Sequence, residues 1–443
     1  MAVVAWALGR YAFRRRFHLT RRCSRPFSFG QRRGFQLGKG VYGVHDQSVT
    51  ISKQRYQELL VAEATQMAQV RQTSVSIELM RKFGTNPTLD TLLKSARFLY
   101  KELPVRYAIR AKEFELAPSW IKTQPFKQIS DMYMQCFLDL RSAQEPNSAR
   151  AEEKLCEVLS SHKERLALVI SLLAEGATEL KSKRGLTPGE EEYLQDILDR
   201  FLTARIGTSV LTSQHLALHE DVVDGRRNGY VGALQLDCSP DRVFRDAAES
   251  VRLMCQRELG QAPGFVVKGH LDVKFPYFPA HIHYIGCELL KNSFRATIEH
   301  SVQFRGEPNF SIPNVEIVIG ASSEDEDVCI MIRDRGGGIP SSAQKDVWRY
   351  THTTWDSPGE EETHYTRRDG ILAGKGFGLP LSRLYARFFG GDLELCSLAG
   401  IGTAAYVRLK RLGGVEQVGN YHQDRLHAAF PQTFTPRYPF ERD

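Results

Sequence analysis

From Ser52 to about Glu220, apolar residues recur every three or four positions, the spacing of one buried helical face. Gln54 to Leu79 reads as one long helix. Leu89 to Glu115 reads as a second. Pro104 is expected to break or kink it, because proline lacks an N–H and crowds the preceding turn. Phe126 to Leu140 is a third. Ala149 to Leu180 is a fourth, with Leu155, Val158, Leu159, Leu166, Val169 and Leu172 at helical spacing. A further start is marked by Thr187 as cap, Pro188 in the first turn and Glu190 as the capping-box acid. That helix can run to Glu220, roughly 50 Å of rise. Long helices with one apolar stripe each are best satisfied in a four-helix bundle.

Asp224-Gly-Arg-Arg-Asn-Gly229 ends this pattern and marks a domain boundary. Beyond it, strands and helices mix. Phe265–Val267 is a short strand candidate and Pro279–His300 a helix. Val315–Ile319 and Val328–Arg333 alternate like paired strands across the acidic turn Glu324-Asp-Glu-Asp327. Leu379–Phe389 is a helix after a glycine-rich loop. Asp392–Ser397 and Thr403–Leu409 form a second strand pair around Gly400-Ile-Gly402. The expected fold is two-domain: an all-α four-helix bundle over 41–224 and an α/β sandwich over 225–412. An irregular tail over 413–443, rich in His, Pro and aromatics, is expected to pack on another surface.

At 443 residues, 42% hydrophobic and 25% charged, the chain is neither disordered, collagen-like nor a small disulfide scaffold. The longest apolar run, Leu166–Ala174, is about half a membrane span, so no transmembrane segment is expected. The net charge of +7 suggests nucleic acid until its location is read. The first forty residues hold nine arginines and Lys39, with no Asp or Glu. Ala2–Leu19 can form an amphipathic helix with a basic face. This is the composition of a mitochondrial or plastid transit peptide, assigned to residues 1–40. Without it, 49 basic residues face 52 acidic ones, so the body implies no nucleic-acid partner. The eight cysteines form no CxxC pair and no disulfide framework, which suits a reducing matrix.

Three elements carry the candidate chemistry. Glu288, Lys291, Asn292 and Arg295 are spaced to share one helix face, with Ile285, Leu289 and Ile298 opposite. Asn can offer an oxygen to Mg²⁺, Lys and Arg can meet phosphate oxygens, and Glu can accept a proton. Asp334-Arg-Gly-Gly-Gly-Ile-Pro340 follows a strand. Its glycines, Gly336 and Gly338 among them, allow close approach to a flat ligand, and Asp334 can accept the exocyclic amine of adenine. Gly374-Lys-Gly-Phe-Gly-Leu-Pro380 leads into a helix whose N-terminal amides suit phosphate, with Gly374, Gly376, Phe377, Gly378 and Leu379 in the binding segment. Thr353 and Thr354, in the polar stretch between the loops, can bond phosphate or ribose oxygens.

In this order the elements resemble the N, G1 and G2 boxes of the histidine-kinase-like (GHKL) ATPase fold, and Gly402-Thr403 agrees, with Thr403 near the adenine. Glu102-Leu-Pro-Val-Arg106, Asp199-Arg-Phe-Leu-Thr-Ala-Arg-Ile-Gly207, Ser213-Gln-His215 and Gly374–Arg383 narrow the resemblance to the mitochondrial 2-oxoacid dehydrogenase kinases. The resemblance implies a matrix protein-serine kinase that transfers the γ-phosphate of Mg-ATP to the E1 subunit and inactivates the complex. It implies K⁺ as a further ion, a lipoyl-bearing E2 partner for the helical domain and a homodimer. Glu288 would be the base, Asn292 the metal ligand, and Lys291 and Arg295 phosphate contacts. His215, near the expected domain junction, would either pair with Glu288 and tune it or stand as a satisfied structural histidine. His215–Asp221 and Leu172–Gly176 are similar to branched-chain members, which are favoured; Leu381–Arg387 and Gly391–Leu395 are closer to the pyruvate type. A noncatalytic nucleotide-binding scaffold is the alternative of another class. A two-component histidine kinase would need a phospho-acceptor His, and His219-Glu220 is its nearest imitation. Arg106 and Arg110 could meet a ligand carboxylate or simply a surface acid.

Overall fold

The computed structural model describes residues 52–416, apart from 86, 226, 303–310, 322–326, 353–375 and 412. The basic N-terminal segment lies outside them. Among the described residues no helix is long and apolar enough to cross a membrane.

The expected first helix is two, α1 (Lys53–Met67) and α2 (Ile77–Phe83). Thr73-Ser-Val-Ser76 separates them, hydroxyl and β-branched residues that favour extended backbone and caps. Ser76 Oγ then accepts from the Leu79 amide and starts α2. α3 (Leu89–Glu113) runs through Pro104 without breaking, contrary to expectation. Every residue from Glu102 to Glu113 is buried, and that packing outweighs the missing backbone bond. α4 (Gln124–Ser142) falls where expected. The fourth expected helix is also split. α5 (Ala149–Arg165) and α6 (Val169–Arg184) meet at one 3₁₀ turn, Leu166–Leu168, which lets Leu166 and Val169 both enter the core. α7 (Pro188–Val223) carries the anticipated capping box: Thr187 N–H donates to Glu190 Oε2 at 3.0 Å and Glu190 N–H to Thr187 Oγ1 at 3.4 Å. α3 packs on α4 and α7, α4 on α6, and α5 on α7.

The second half opens with β1 (Tyr230–Val231) and β2 (Leu234–Cys238), antiparallel, which β4 (Phe275–Tyr277) completes as a small sheet. α8 (Pro240–Leu259) was not anticipated, though its signals stand in the chain. Ser239 caps it, Pro240 sits in the first turn, Gly260 ends it at φ +71°, and Val243, Phe244, Ala247, Val251 and Cys255 form its buried stripe. The larger sheet has the order β3-β5-β6-β8-β7, from β3 (Phe265–Gly269), β5 (Val315–Ala321), β6 (Asp327–Arg333), β8 (Gly402–Lys410) and β7 (Asp392–Leu398). β3 and β5 are parallel and the other neighbours antiparallel. On β5 and β6, Val315, Ile317, Ile319, Val328, Ile330 and Ile332 alternate into the core. α9 (Pro279–Val302) packs against that sheet, beside α8 and α10 (Gly378–Arg387). The sandwich reading of this half therefore describes the sheet and its helical layer.

The tail expected from residue 413 is described only to Glu416. Those residues return to the helical half: Glu416 N–H donates to the Val75 carbonyl at 2.8 Å, and its carboxylate is buried against Arg106.

Candidate active site

α9 places the predicted motif as its periodicity requires. Ile285, Leu289 and Ile298 are buried, Asn292 is exposed and Glu288 half-buried. Lys291 Nζ lies 2.7 Å from Glu288 Oε1. The other Glu288 oxygen faces the start of α10, where a Cβ added at Gly378 would collide with Oε2. Arg295 turns one step along the helix to Glu299, at 2.7 Å. Glu288 is thus brought to the N-terminus of α10, with Lys291 paired to it and Asn292 one turn along the same helix. Its cap position is Phe377, and no described side chain caps it. A helix N-terminus leaves its first amides without intrahelical partners and favours an anion.

Asp334 sits where β6 ends, 6% exposed. Its Oδ1 accepts from the Gly336 amide at 2.9 Å and the Thr403 amide at 3.1 Å. Burial pushes the carboxyl above its ordinary range, while those amides and the Ser293 hydroxyl pull it back. Both amides fall on Oδ1, and the carboxylate as a whole can accept from a ligand donor. The glycines answer to close approach. A Cβ at Gly336 would lie 2.5 Å from Ala296 Cβ, so the loop presses on α9. Gly338 adopts φ +71°, and a Cβ there would strike the Leu398 carbonyl. Thr403 Oγ1 and Ser397 Oγ are 2.9 Å apart, and Ser397 Oγ accepts from the Ile339 amide at 2.7 Å. Ser397 was missed by sequence reading; its signal is only that it stands directly across from Thr403 in the β7–β8 ladder.

Gly376 has φ +73° and Phe377 packs on Tyr350 with the rings tilted, centroids 4.8 Å apart. Tyr350 was also missed. It joins the halves: its hydroxyl hydrogen-bonds Asp199, its amide donates to Gln195 Oε1 at 3.1 Å, and its carbonyl accepts from Lys181 Nζ at 3.0 Å. Thr353, Thr354 and Gly374 lie outside the described residues.

His215 is corrected. It does not reach Glu288, because both ring nitrogens are taken inside the helical half. Nδ1 is 2.9 Å from Ser95 Oγ, and Nε2 is 3.2 Å from Glu152 Oε1. It lies well along α7, one turn before His219, which meets the same carboxylate. Arg106 and Arg110 are likewise internal. Arg106 Nε meets Glu102 at 2.8 Å and Nη1 meets Glu416 at 2.6 Å; Arg110 meets Glu113 at 2.5 Å. His281 packs among Phe278, Tyr385 and Phe389, and burial lowers its pKa to about 3, so it is a neutral core ring.

An acid at a strand end, a polar helix face carrying Glu, Lys and Asn, and a helix N-terminus open to phosphate together make a nucleotide site. Known proteins agree in both halves. Residues 279–412 match the family described as histidine kinase-, DNA gyrase B- and HSP90-like ATPase. Residues 74–235 match the family described as mitochondrial branched-chain alpha-ketoacid dehydrogenase kinase. The chain is 36% identical over 361 residues to the mitochondrial pyruvate dehydrogenase (acetyl-transferring) kinase of Arabidopsis thaliana, covering 81% of this chain and 96% of that one. It is 32% identical over 364 residues to human pyruvate dehydrogenase kinase isozyme 4, covering 80% and 85%. It is 34% identical over 349 residues to mouse isozyme 3, covering 76% and 81%. With both halves matched and the relatives aligned almost end to end, the chain belongs to the mitochondrial 2-oxoacid dehydrogenase kinases, ATP-dependent protein kinases.

Proposed function

We propose that the protein transfers the γ-phosphoryl group of Mg-ATP to a serine of the E1 subunit of a 2-oxoacid dehydrogenase complex in the mitochondrial matrix, inactivating it. The observation that carries this is the meeting of Glu288 with the uncapped N-terminus of α10. A carboxylate able to take a hydroxyl proton there stands beside amides suited to phosphate.

In this reading Asp334, Gly336, Gly338 and Thr403 hold the adenine. The amides of Gly376, Phe377, Gly378 and Leu379, with Gly374, Thr353, Thr354 and Arg295, receive phosphate and ribose oxygens. Exposed Asn292 fits a Mg²⁺ ligand, its amide oxygen being a hard donor one turn from Glu288 on the same helix. The bound ion supplies neutralisation of phosphate charge. Glu288 orients the incoming serine hydroxyl and takes its proton, and Lys291, ion-paired to it, offsets charge on the transferring group. K⁺ would be a further ion by family likeness.

The domain roles follow. Residues 1–40 direct import, 41–224 form a bundle built on four long helices that binds the lipoyl-bearing E2, and 225–412 hold ATP, while residues 413–416 brace the helical half. A homodimer is the proposed assembly. The relatives' names favour the pyruvate complex, while His215–Asp221 and Leu172–Gly176 favour the branched-chain complex. Labelled ATP with each purified E1–E2 complex decides between them. One complex should label strongly on E1. Labelling of neither would overturn the kinase reading in favour of a nucleotide-binding scaffold.

A further inference from the structure

The residues that hold His215 away from Glu288 make a second constellation. α5 offers Glu152 and Cys156, and α7 offers His215 and His219. Each pair is spaced i, i+4, so each presents two donors from one helix face. α5 and α7 pack together, and the pairs face each other. Glu152 Oε1 lies 3.0 Å from Cys156 Sγ, 3.0 Å from His219 Nδ1 and 3.2 Å from His215 Nε2. His215 Nε2 lies 3.7 Å from Cys156 Sγ. The ligand atoms of Glu152, Cys156 and His219 all fall within 4.8 Å of one another.

We propose that Glu152, Cys156, His215 and His219 form a zinc site that clamps α5 to α7. One thiolate, two imidazoles and one carboxylate are the donors Zn²⁺ takes, and four donors from two facing helices suit its tetrahedral preference. With metal–ligand bonds of about 2.0–2.3 Å, the ligand atoms of a tetrahedron stand about 3.3–3.8 Å apart. The three short contacts to Glu152 Oε1 need to open by only a few tenths of an ångström, while His215, which stands outside the 4.8 Å grouping of the other three, must draw in toward His219. Ser95 on α3 is placed as the outer partner of His215: its oxygen, 2.9 Å from Nδ1, can accept the N–H of that nitrogen and leave the Nε2 lone pair aimed at the cluster. Glu152 and His215 are each 1% exposed, while the His219 side chain is 23% exposed and gives the ion a way in. Binding releases the Cys156 thiol proton to solvent as the sulfur–zinc bond forms.

The rival arrangement keeps protons where the ion would sit, with Cys156, His215 and His219 all donating to Glu152. Metal measurements on the full chain separate the two. Protein stripped with chelator and dialysed against ZnCl2 alone should retain one zinc per chain and melt at a higher temperature than the stripped form. Cobalt(II) in its place should give a thiolate-to-cobalt absorption band that Cys156→Ser removes. Ser95→Ala, which leaves all four ligands, should weaken zinc binding about 10–100-fold. Substoichiometric zinc with no thiolate band in the parent chain would overturn the proposal. So would equal zinc and an unchanged band in Cys156→Ser. If Cys156→Ser does not fold, the parent's stoichiometry, cobalt band and chelator-dependent melting decide alone.

Discussion

α7 and α10 begin in opposite ways. Thr187 and Glu190 close the first turn of α7 on itself, so the amides of both are met from within the chain. α10 begins at Gly378 after a cap position, Phe377, whose side chain donates and accepts nothing. Buried charge shows the same contrast. In the helical half Arg106 is held by Glu102 and Glu416. In the mixed half Asp334 is buried against amides and a hydroxyl, with no cation paired to it among the described residues, and its carboxyl is pushed upward. Polar groups satisfied by the chain itself hold structure. Polar groups left partly satisfied, in a pocket where glycines clear the space, are where a ligand completes the set.

Substitutions can break that contrast. The largest effect is expected at Glu288. Glu288→Gln keeps size and loses the proton acceptor, so turnover should fall about 10²–10⁴-fold with ATP affinity and melting temperature little changed. Single-turnover assays on E1 check it, and turnover equal to the parent's would remove Glu288 from the base role. Next is the helical half. Arg106→Met leaves Glu102 and Glu416 facing each other in a site about 1% exposed, and should cost about 3–5 kcal/mol in urea unfolding. If it instead lowered ATP affinity while stability held, the division into structural and ligand-directed charge would be wrong. Asp334→Asn should do the reverse. Its Oδ1 can still accept from Gly336 and Thr403, but an amide N–H₂ would then face the adenine amine. A loss of about 1–3 kcal/mol in ATP binding is expected by calorimetry, with little change in unfolding.

The contrast also explains what could be read from the chain. The α9 face, the Asp334 loop and the capping box of α7 are local: each is set by spacing within a few residues, and each stands where the sequence puts it. The pairing of His215 is not local. Its partners, Ser95 and Glu152, are 120 and 63 positions away, and no spacing rule connects them. Pro104 shows the same limit from the energetic side. Its intrinsic preference says break, but a helix half buried on all sides does not, and burial is a property of the whole fold. α8 is the exception: its cap, its proline and its terminal glycine were local signals that went unread.

The smallest expected effect lies at the other end of the comparison. Thr187→Ala removes the oxygen that accepts from the Glu190 amide, while Glu190 can still accept from the backbone of residue 187. One orphan amide of α7 then turns to water, and cap losses of this kind cost about 1 kcal/mol. The urea midpoint of the helical half should fall accordingly. ATP affinity should not move, because α7 meets the nucleotide side through Gln195 and Asp199, two and three turns further on. If ATP affinity fell without the loss of stability, the first turn of α7 would belong to the ligand site, and the distinction between a helix start closed by its own side chains and one left for phosphate would fail.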